Sequence, residues 1–275
     1  MNLPRRSQLY VPANDEKKIR KSASLPADSI VLDLEDAVPD EGKAEARSRL
    51  ASRIRDLDWG TRELCVRINK LGKDYSKEDV AAARSLPKIN ALVLPKAEKV
   101  TETVQVGLPL IALIETAFGF VHLEEIVSSR NVSAIAFGPQ DFANSVGGSL
   151  SAYQNNVALK TSLAITARAY GVDPLDGVYF ALNDLKGFRA EALDSRALGF
   201  VGKQVVHPSQ IEVANEVYSP SLEEIEEAKK IVELYESSAK RSNVGALRVN
   251  DKLVDAVHYR KAKALLDKTA STSTR

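Results

Sequence analysis

Apolar positions gather in eight short runs: "SQLYVPA", "SIVLDLE", "ELCVRIN", "ALVLPKA", "LIALIET", "AIAFGPQD", "PLDGVYF" and "KQVVHP". They are rich in Val, Ile, Leu and Tyr, and short enough for strands buried in a parallel sheet. Polar stretches with helical spacing separate them. "EGKAEARSRLASRIR" sets Ala, Leu and Ile at helical intervals. "SKEDVAAARSL" opens on Ser76 as an expected cap, with an acidic first turn. "SAYQNNVALKTSLAITARAYG" reads as one long helix stopped by Gly171, and "NDLKGFRAEALDSRALG" as another stopped by Gly199.

Eight strand–helix units fit a closed α/β barrel of the TIM (β/α)8 type. A doubly wound open sheet usually carries a glycine-rich turn after its first strand. Here that place reads Pro12-Ala13-Asn14, so the barrel is the expected fold. Beyond the eighth run come a helix, "SLEEIEEAKKIVELYESSAKRS", a short segment, "GALRVNDKLVD", and a last helix, "AVHYRKAKALLDK". No Pro-, Gly- or Ser-rich linker breaks the chain. The expected organisation is a catalytic barrel over residues 1–219 and a C-terminal helical arm over residues 220–275. So small an arm packs on the barrel or on a neighbouring subunit.

Composition narrows the partners. Apolar residues are 44 % and charged residues 27 % of the 275, and the formal net charge is +1. That balance argues against nucleic acid as the main partner, since phosphate backbones select a basic face. The single cysteine, Cys65, allows no intrachain disulfide and no cysteine cluster for zinc, and its alternating run makes it a small buried hydrophobe. No run approaches the ~20 apolar residues of a membrane span. The N-terminus lacks the apolar core of a secretion signal and the C-terminus is not a peroxisomal address. The expectation is a soluble intracellular protein, cytoplasmic or of the mitochondrial matrix.

Functional groups of such barrels sit at the C-terminal ends of the strands. Read there, the runs end in Glu35 and Asp36, Arg67 and Asn69, Lys96, Glu115, Asp141 and His207. Each has a plain structural alternative. Glu35 and Asp36 could cap the next helix, Arg67 could pair with an acid, and His207 could be a turn residue before Pro208. Together they put several charges at one mouth, which is costly to bury without a use. Glu115 and Asp141, from consecutive runs, suit Mg²⁺, which takes oxygen ligands and keeps several waters. The three histidines are too scattered for a zinc triad. Lys96 could form a Schiff base with a carbonyl substrate. A salt bridge within an acidic mouth is the favoured reading.

Taken in order, "RRSQLYVPAND", "VLDLEDAVPDEGKAEAR", "VRIN", "LVLPKAE", "LIETAFGF", "AFGPQDFA", "GKQVVHPSQIEVANEVYSPS" and "LRVNDKLVDA" resemble the citrate lyase beta-subunit-like family of the HpcH/HpaI aldolase group. The opening and the "GKQVVHPSQI" block look closest to its stand-alone citramalyl-CoA lyases. The resemblance implies a TIM barrel, a homotrimer, and Mg²⁺ on Glu115 and Asp141. It implies that Arg67 holds the substrate carboxylate and that Tyr10, Lys17 and Lys21 contact the acyl-CoA. It matches Asp255 to the aspartate that the arm delivers to a neighbouring subunit's site, our choice for the acid/base, and Glu35 and Asp36 to the acidic pair at the base of the site. The implied reaction is retro-Claisen cleavage of a 3-hydroxyacyl-CoA, with (3S)-citramalyl-CoA giving acetyl-CoA and pyruvate. Malyl-CoA, methylmalyl-CoA and citryl thioesters are the alternative substrates. A covalent aldolase using Lys96 and a non-catalytic CoA-binding subunit are the rival functions.

Overall fold

In the computed structural model the eight runs close into one parallel barrel, in the order β1 to β8, with β8 pairing back onto β1. The structure describes residues 3–73, 75–86, 88–102, 107–239, 246–249 and 252–273. The strands are β1 (Ser7–Pro12), β2 (Ser29–Asp33), β3 (Glu63–Arg67), β4 (Ala91–Leu94), β5 (Leu110–Ile114), β6 (Val132–Phe137), β7 (Asp173–Asp176) and β8 (Gly202–Val205). The TIM-type barrel expected from the spacing is therefore the observed fold. The chain divides into two compact units, Met1–Tyr218 and Ser219–Arg275.

Alternation along each strand decides which side chains face in. Val31, Cys65, Ala91, Val93, Ile111, Leu113, Ala134, Ala136 and Leu175 form a core of their own inside the barrel. Their strand neighbours join a larger cluster between the barrel and its helices. Two positions beyond the inward Val31, Cys65 and Leu113 come Asp33, Arg67 and Glu115, so the same parity carries charge to the mouth. At the opposite end Arg5 pairs with Glu63 at 2.6 Å and donates to Ser133 Oγ at 2.9 Å, closing the barrel floor.

The helices follow the strands with some departures from the pattern. Helix α1 (Glu16–Ser22) is capped by Asp15, and α2 (Asp40–Arg55) follows Pro39 with no side-chain cap. Ser76 does not cap α3 (Ser76–Arg84). It is the first helical residue, and its hydroxyl donates to the Lys73 carbonyl at 2.9 Å. Helices α4 (Ala117–Val121), α5 (Leu123–Val127) and α6 (Pro139–Ser145) come next. The long helix expected up to Gly171 is broken into α7 (Leu150–Tyr153) and α8 (Val157–Ala169). Asn156 accepts from the Leu159 N–H and starts a new helix there. In α9 (Leu185–Leu198) Asp184 is the cap and Gly199, at φ 106°, is the stop. Helix α10 (Ser209–Val217) completes the unit.

The second unit contains α11 (Leu222–Ala239), the antiparallel pair β9 (Ala246–Val249) and β10 (Lys252–Asp255), and α12 (Ala256–Ser273). Tyr235 stacks on Tyr259 with ring centroids 4.7 Å apart, joining its two helices. Among the described residues no helix is long and apolar enough to cross a membrane.

Candidate active site

Strand register sets the first pair. Asp33 and Arg67 are direct partners across β2 and β3, and both face inward. The guanidinium grips the carboxylate with two bonds, Nε to Oδ1 at 2.7 Å and Nη2 to Oδ2 at 2.6 Å. A bidentate pair of this kind fixes the plane of the arginine. Its remaining nitrogen, Nη1, lies 2.9 Å from Glu35 Oε2 and 3.4 Å from Asp36 Oδ2. The guanidinium also sits 5.3 Å from the centre of the Tyr10 ring. Burial pushes the Tyr10 phenol above its ordinary value.

Glu35 and Asp36 do not cap the following helix. They stand in the β2–α2 connection, which Lys43 holds from beneath. The buried Lys43 Nζ donates to the Leu34 carbonyl at 3.1 Å, the Glu35 carbonyl at 2.7 Å and Asn69 Oδ1 at 2.8 Å. Asn69 is in turn tied to the buried Asp79, which also accepts from Arg47 at 2.8 Å. Asp36 is exposed, while Glu35 is buried.

Lys96 joins the two buried glutamates. Its Nζ donates to Glu35 Oε1 at 3.0 Å and lies 3.6 Å from Glu115 Oε1. Its backbone sits at φ 48°, which turns its own N–H onto Glu115 Oε1 at 2.7 Å. A left-handed lysine is uncommon and is kept where surrounding bonds require it. Gly138 makes room for the same carboxylate, since a Cβ there would come within 2.6 Å of Glu115 Oε2. Asp141, half-buried in the first turn of α6, acts electrostatically on both Glu115 and Lys96.

The electrostatics are unbalanced. Burial, with Glu35, raises the Glu115 carboxyl to about 8 despite Lys96. Burial also raises Glu35 above its ordinary value despite Arg67. Lys96 stays above its ordinary value because Glu115 and Glu35 outweigh its burial. Glu35 Oε2 is buried with no hydrogen-bond partner, its arginine contact being poorly aligned. Glu115 Oε2 accepts no hydrogen bond among the described residues. The mouth therefore holds more carboxylate than its two cations neutralise.

Beside it opens a cavity of about 700 Å³. Tyr10, Asp33, Asp36 and Arg67 line it, as do Lys18, Lys21, Gln204 and His207. Glu35, Lys96, Glu115 and Asp141 do not line it. Glu35 is tied to the lining through Arg67, which also holds Asp33, and Lys96 links Glu35 to Glu115. Lys17 is exposed and outside the lining, whereas Lys18, one position on, is within it and ion-pairs with Asp15 at 3.4 Å. His207 Nδ1 accepts from the Ser209 N–H at 3.2 Å, a turn bond that leaves the ring at the cavity wall. A second hollow, of about 410 Å³ between α4, α6 and α8, has no charged side chain in its lining.

Asp255 lies in the other unit, at the start of α12. Its Oδ1 accepts from the Val257 N–H at 2.9 Å and the His258 N–H at 3.2 Å, and pairs with His258 Nδ1 at 2.7 Å. These bonds, the His258 ring first, hold its carboxyl below the ordinary range.

The HpcH/HpaI aldolase/citrate lyase family model matches residues 6–208, from the first strand to the end of the cavity wall. The chain belongs to this family. Its members include carbon–carbon lyases. A (3S)-malyl-CoA thioesterase of Cereibacter sphaeroides is 36 % identical over 273 residues, covering 96 % of this chain and 94 % of that protein. The mitochondrial citramalyl-CoA lyase of Rattus norvegicus is 33 % identical over 299 residues, covering 98 % and 87 %. Among solved structures, CitE of Mycobacterium tuberculosis in complex with magnesium, acetoacetate and coenzyme A superposes with a TM-score of 0.81. It is 30 % identical and covers 96 % of this chain and 97 % of that one.

Proposed function

We propose that the protein is a Mg²⁺-dependent carbon–carbon lyase that cleaves a 3-hydroxyacyl-CoA, with (3S)-citramalyl-CoA the first candidate, to acetyl-CoA and pyruvate. The observation that carries this reading is the surplus of buried carboxylate at Glu35 and Glu115, set beside a cavity edged by Arg67, Lys18 and Lys21. The complexes of the CitE relative with magnesium and coenzyme A, and the substrates in the relatives' names, point the same way.

The donor set fits a hard cation. Glu115 and Asp141 offer only oxygens, and the unbonded Glu115 Oε2 is one of them. Among the described residues no three His, Cys, Asp or Glu side chains converge on one point. Two protein ligands suit Mg²⁺, which retains waters and takes substrate oxygens. When bound, the cation supplies Lewis-acid stabilisation of negative charge on oxygen.

The chain's own groups account for the rest. Arg67 has two of its donors committed to Asp33, so Nη1 is held in one direction to meet a substrate carboxylate or the thioester oxygen. Asp255, kept ionised by its three partners, takes the substrate hydroxyl proton. The alkoxide becomes a ketone as the carbon–carbon bond breaks, and the bonding pair passes to the thioester enolate. Protonation of the enolate at carbon gives acetyl-CoA. The Asp255 arm reaches the site of a neighbouring subunit in a homotrimer. Lys18 and Lys21 meet the phosphates of CoA at the rim. A covalent aldolase is disfavoured, because Schiff-base formation needs a neutral amine and Lys96 is held charged.

The test is a panel of citramalyl-, malyl-, methylmalyl- and citryl-CoA, with both halves of each product measured. Equal amounts of acetyl-CoA and a keto acid support the lyase. Free CoA with the intact hydroxy acid supports the thioesterase activity named for the Cereibacter relative. Tight CoA binding with no cleavage supports a non-catalytic subunit.

A further inference from the structure

The block "GKQVVHP" holds a residue that the proposed mechanism leaves unused. Gln204, in β8, is 3 % exposed and lines the large cavity. Its Nε2 donates to the Phe137 carbonyl at 2.7 Å and to the Asp176 carbonyl at 3.3 Å. These are the last residues of β6 and β7. Both partners are acceptors only, so the NH₂ half of the amide must face them. The amide cannot flip without setting oxygen against oxygen. Oε1 is thereby fixed on the opposite side. It accepts no hydrogen bond among the described residues, and it is not among the fully buried unpartnered atoms. It is an acceptor held open at the cavity wall.

Its place in the barrel says which part of a ligand it meets. Gln204 pairs in register with Gln8 of β1, two residues before Tyr10 at the strand's mouth end. Gly138, directly after Phe137, packs against Glu115. An acyl-CoA end entering here carries carboxylate, thioester and hydroxyl groups, and only the hydroxyl has a proton to donate.

We propose that in the bound substrate, before Asp255 takes the proton, Gln204 Oε1 accepts a hydrogen bond from the hydroxyl of the acyl group and so selects the binding of hydroxyacyl-CoA over its non-hydroxylated counterpart. This rests on the hydroxyacyl-CoA reading above. Removing the acceptor deprives the bound hydroxyl of this partner, whereas a ligand without the hydroxyl loses nothing. A side chain whose only duty is to bolt β6 to β7 would treat both ligands alike.

The experiment is a cycle between this side chain and the substrate hydroxyl. Wild type, Gln204→Met and Gln204→Glu are compared in three readings. These are Kd, measured in EDTA where no cleavage is expected, for (3S)-citramalyl-CoA, for its deoxy analogue with hydrogen in place of the hydroxyl, and for free CoA. Gln204→Met is expected to raise the Kd of (3S)-citramalyl-CoA by about fivefold or more, with the other two Kd values moving by less than about twofold. Gln204→Glu, protonated against the two carbonyls, keeps one donor and one acceptor and recovers part of the loss. Equal changes for both acyl ligands, no change at all, or a shift in the Kd of CoA as large as that for (3S)-citramalyl-CoA overturns the proposal. A wild-type enzyme that cleaves no hydroxyacyl-CoA overturns the functional reading itself, before either variant is made.

Discussion

Two buried charge networks lie at the C-terminal half of this barrel, and they are built to opposite rules. Behind β7 and β8, Lys203 pairs with Asp176 at 2.7 Å and Glu191 at 2.6 Å, and Lys160 pairs with Asp176 at 2.8 Å. Gln154 donates to the remaining Glu191 oxygen at 2.8 Å. Two acids meet two bases. Burial pushes the Asp176 carboxyl up, but Lys203 and Lys160 together bring it below its ordinary value. At the mouth, among the described residues, Asp33, Glu35 and Glu115 have two cations to pair with, Arg67 and Lys96, with Asp36 and Asp141 beside them. There burial wins, and Glu35 and Glu115 are raised. A charge-balanced network needs no further cation, even though Asp176 Oδ1 is held by its ion pair with Lys160 without a hydrogen bond. An acid-rich one is complete only when something positive arrives, and that separates a structural cluster from a site.

Breaking the closed network gives the largest expected effect. Asp176→Asn leaves Lys160 and Lys203 short of their shared carboxylate and costs about 3–5 kcal/mol, read from urea denaturation. Its pH signature is at the acid end. Because the folded Asp176 value lies below 3.8, its stabilising contribution is present above that value and lost as pH falls through the folded one.

Glu115→Gln has the opposite profile. Activity falls by about 10²–10³-fold, while the metal-free fold keeps its stability or gains. The folded carboxyl, raised from 4.5 to about 8, holds a proton that the unfolded chain releases within that window. Wild-type stability measured in EDTA therefore falls as pH rises from 4.5 to 8, and the variant lacks this slope. Asp255→Ala sharpens the contrast from the other unit. It leaves the barrel's stability unchanged and lowers kcat by about 10²–10⁴-fold.

The smallest effects belong to the rim. Lys18→Ala and Lys21→Ala each raise KM for the acyl-CoA by about two- to fivefold, with kcat unchanged and the difference shrinking at high salt. Lys17→Ala serves as the control and leaves KM within about 1.5-fold of wild type.

The eight strands were legible because burial on both faces leaves short, dense apolar runs, and the charges at their ends marked the mouth. Other features depended on geometry that a linear pattern does not carry. Asp33 sits inside "SIVLDLE" and looks like part of the strand, yet it is the partner that fixes Arg67. Only the register of β2 against β3 brings the two together. Lys43 reads as one more solvated helix lysine until its three acceptors are seen. Lys17 and Lys18 differ by one helical step, and the rotation of α1 decides which meets the cavity. The break at Asn156 depended on a side-chain cap prevailing over an otherwise continuous helical pattern. Residues 240–245 and 250–251, within the "GALRVNDKLVD" stretch and just before it, lie outside the described residues.

We propose above that the acid-rich mouth works only with a divalent cation, a dependence on which the proposed reaction stands or falls. Its most direct test is the rate of (3S)-citramalyl-CoA cleavage by one enzyme sample in Mg²⁺, after EDTA, and after Mg²⁺ is restored. Acetyl-CoA and pyruvate are expected in equal amounts with Mg²⁺, with loss of both in EDTA and recovery on adding the metal back. Cleavage at the same rate in EDTA would contradict this dependence.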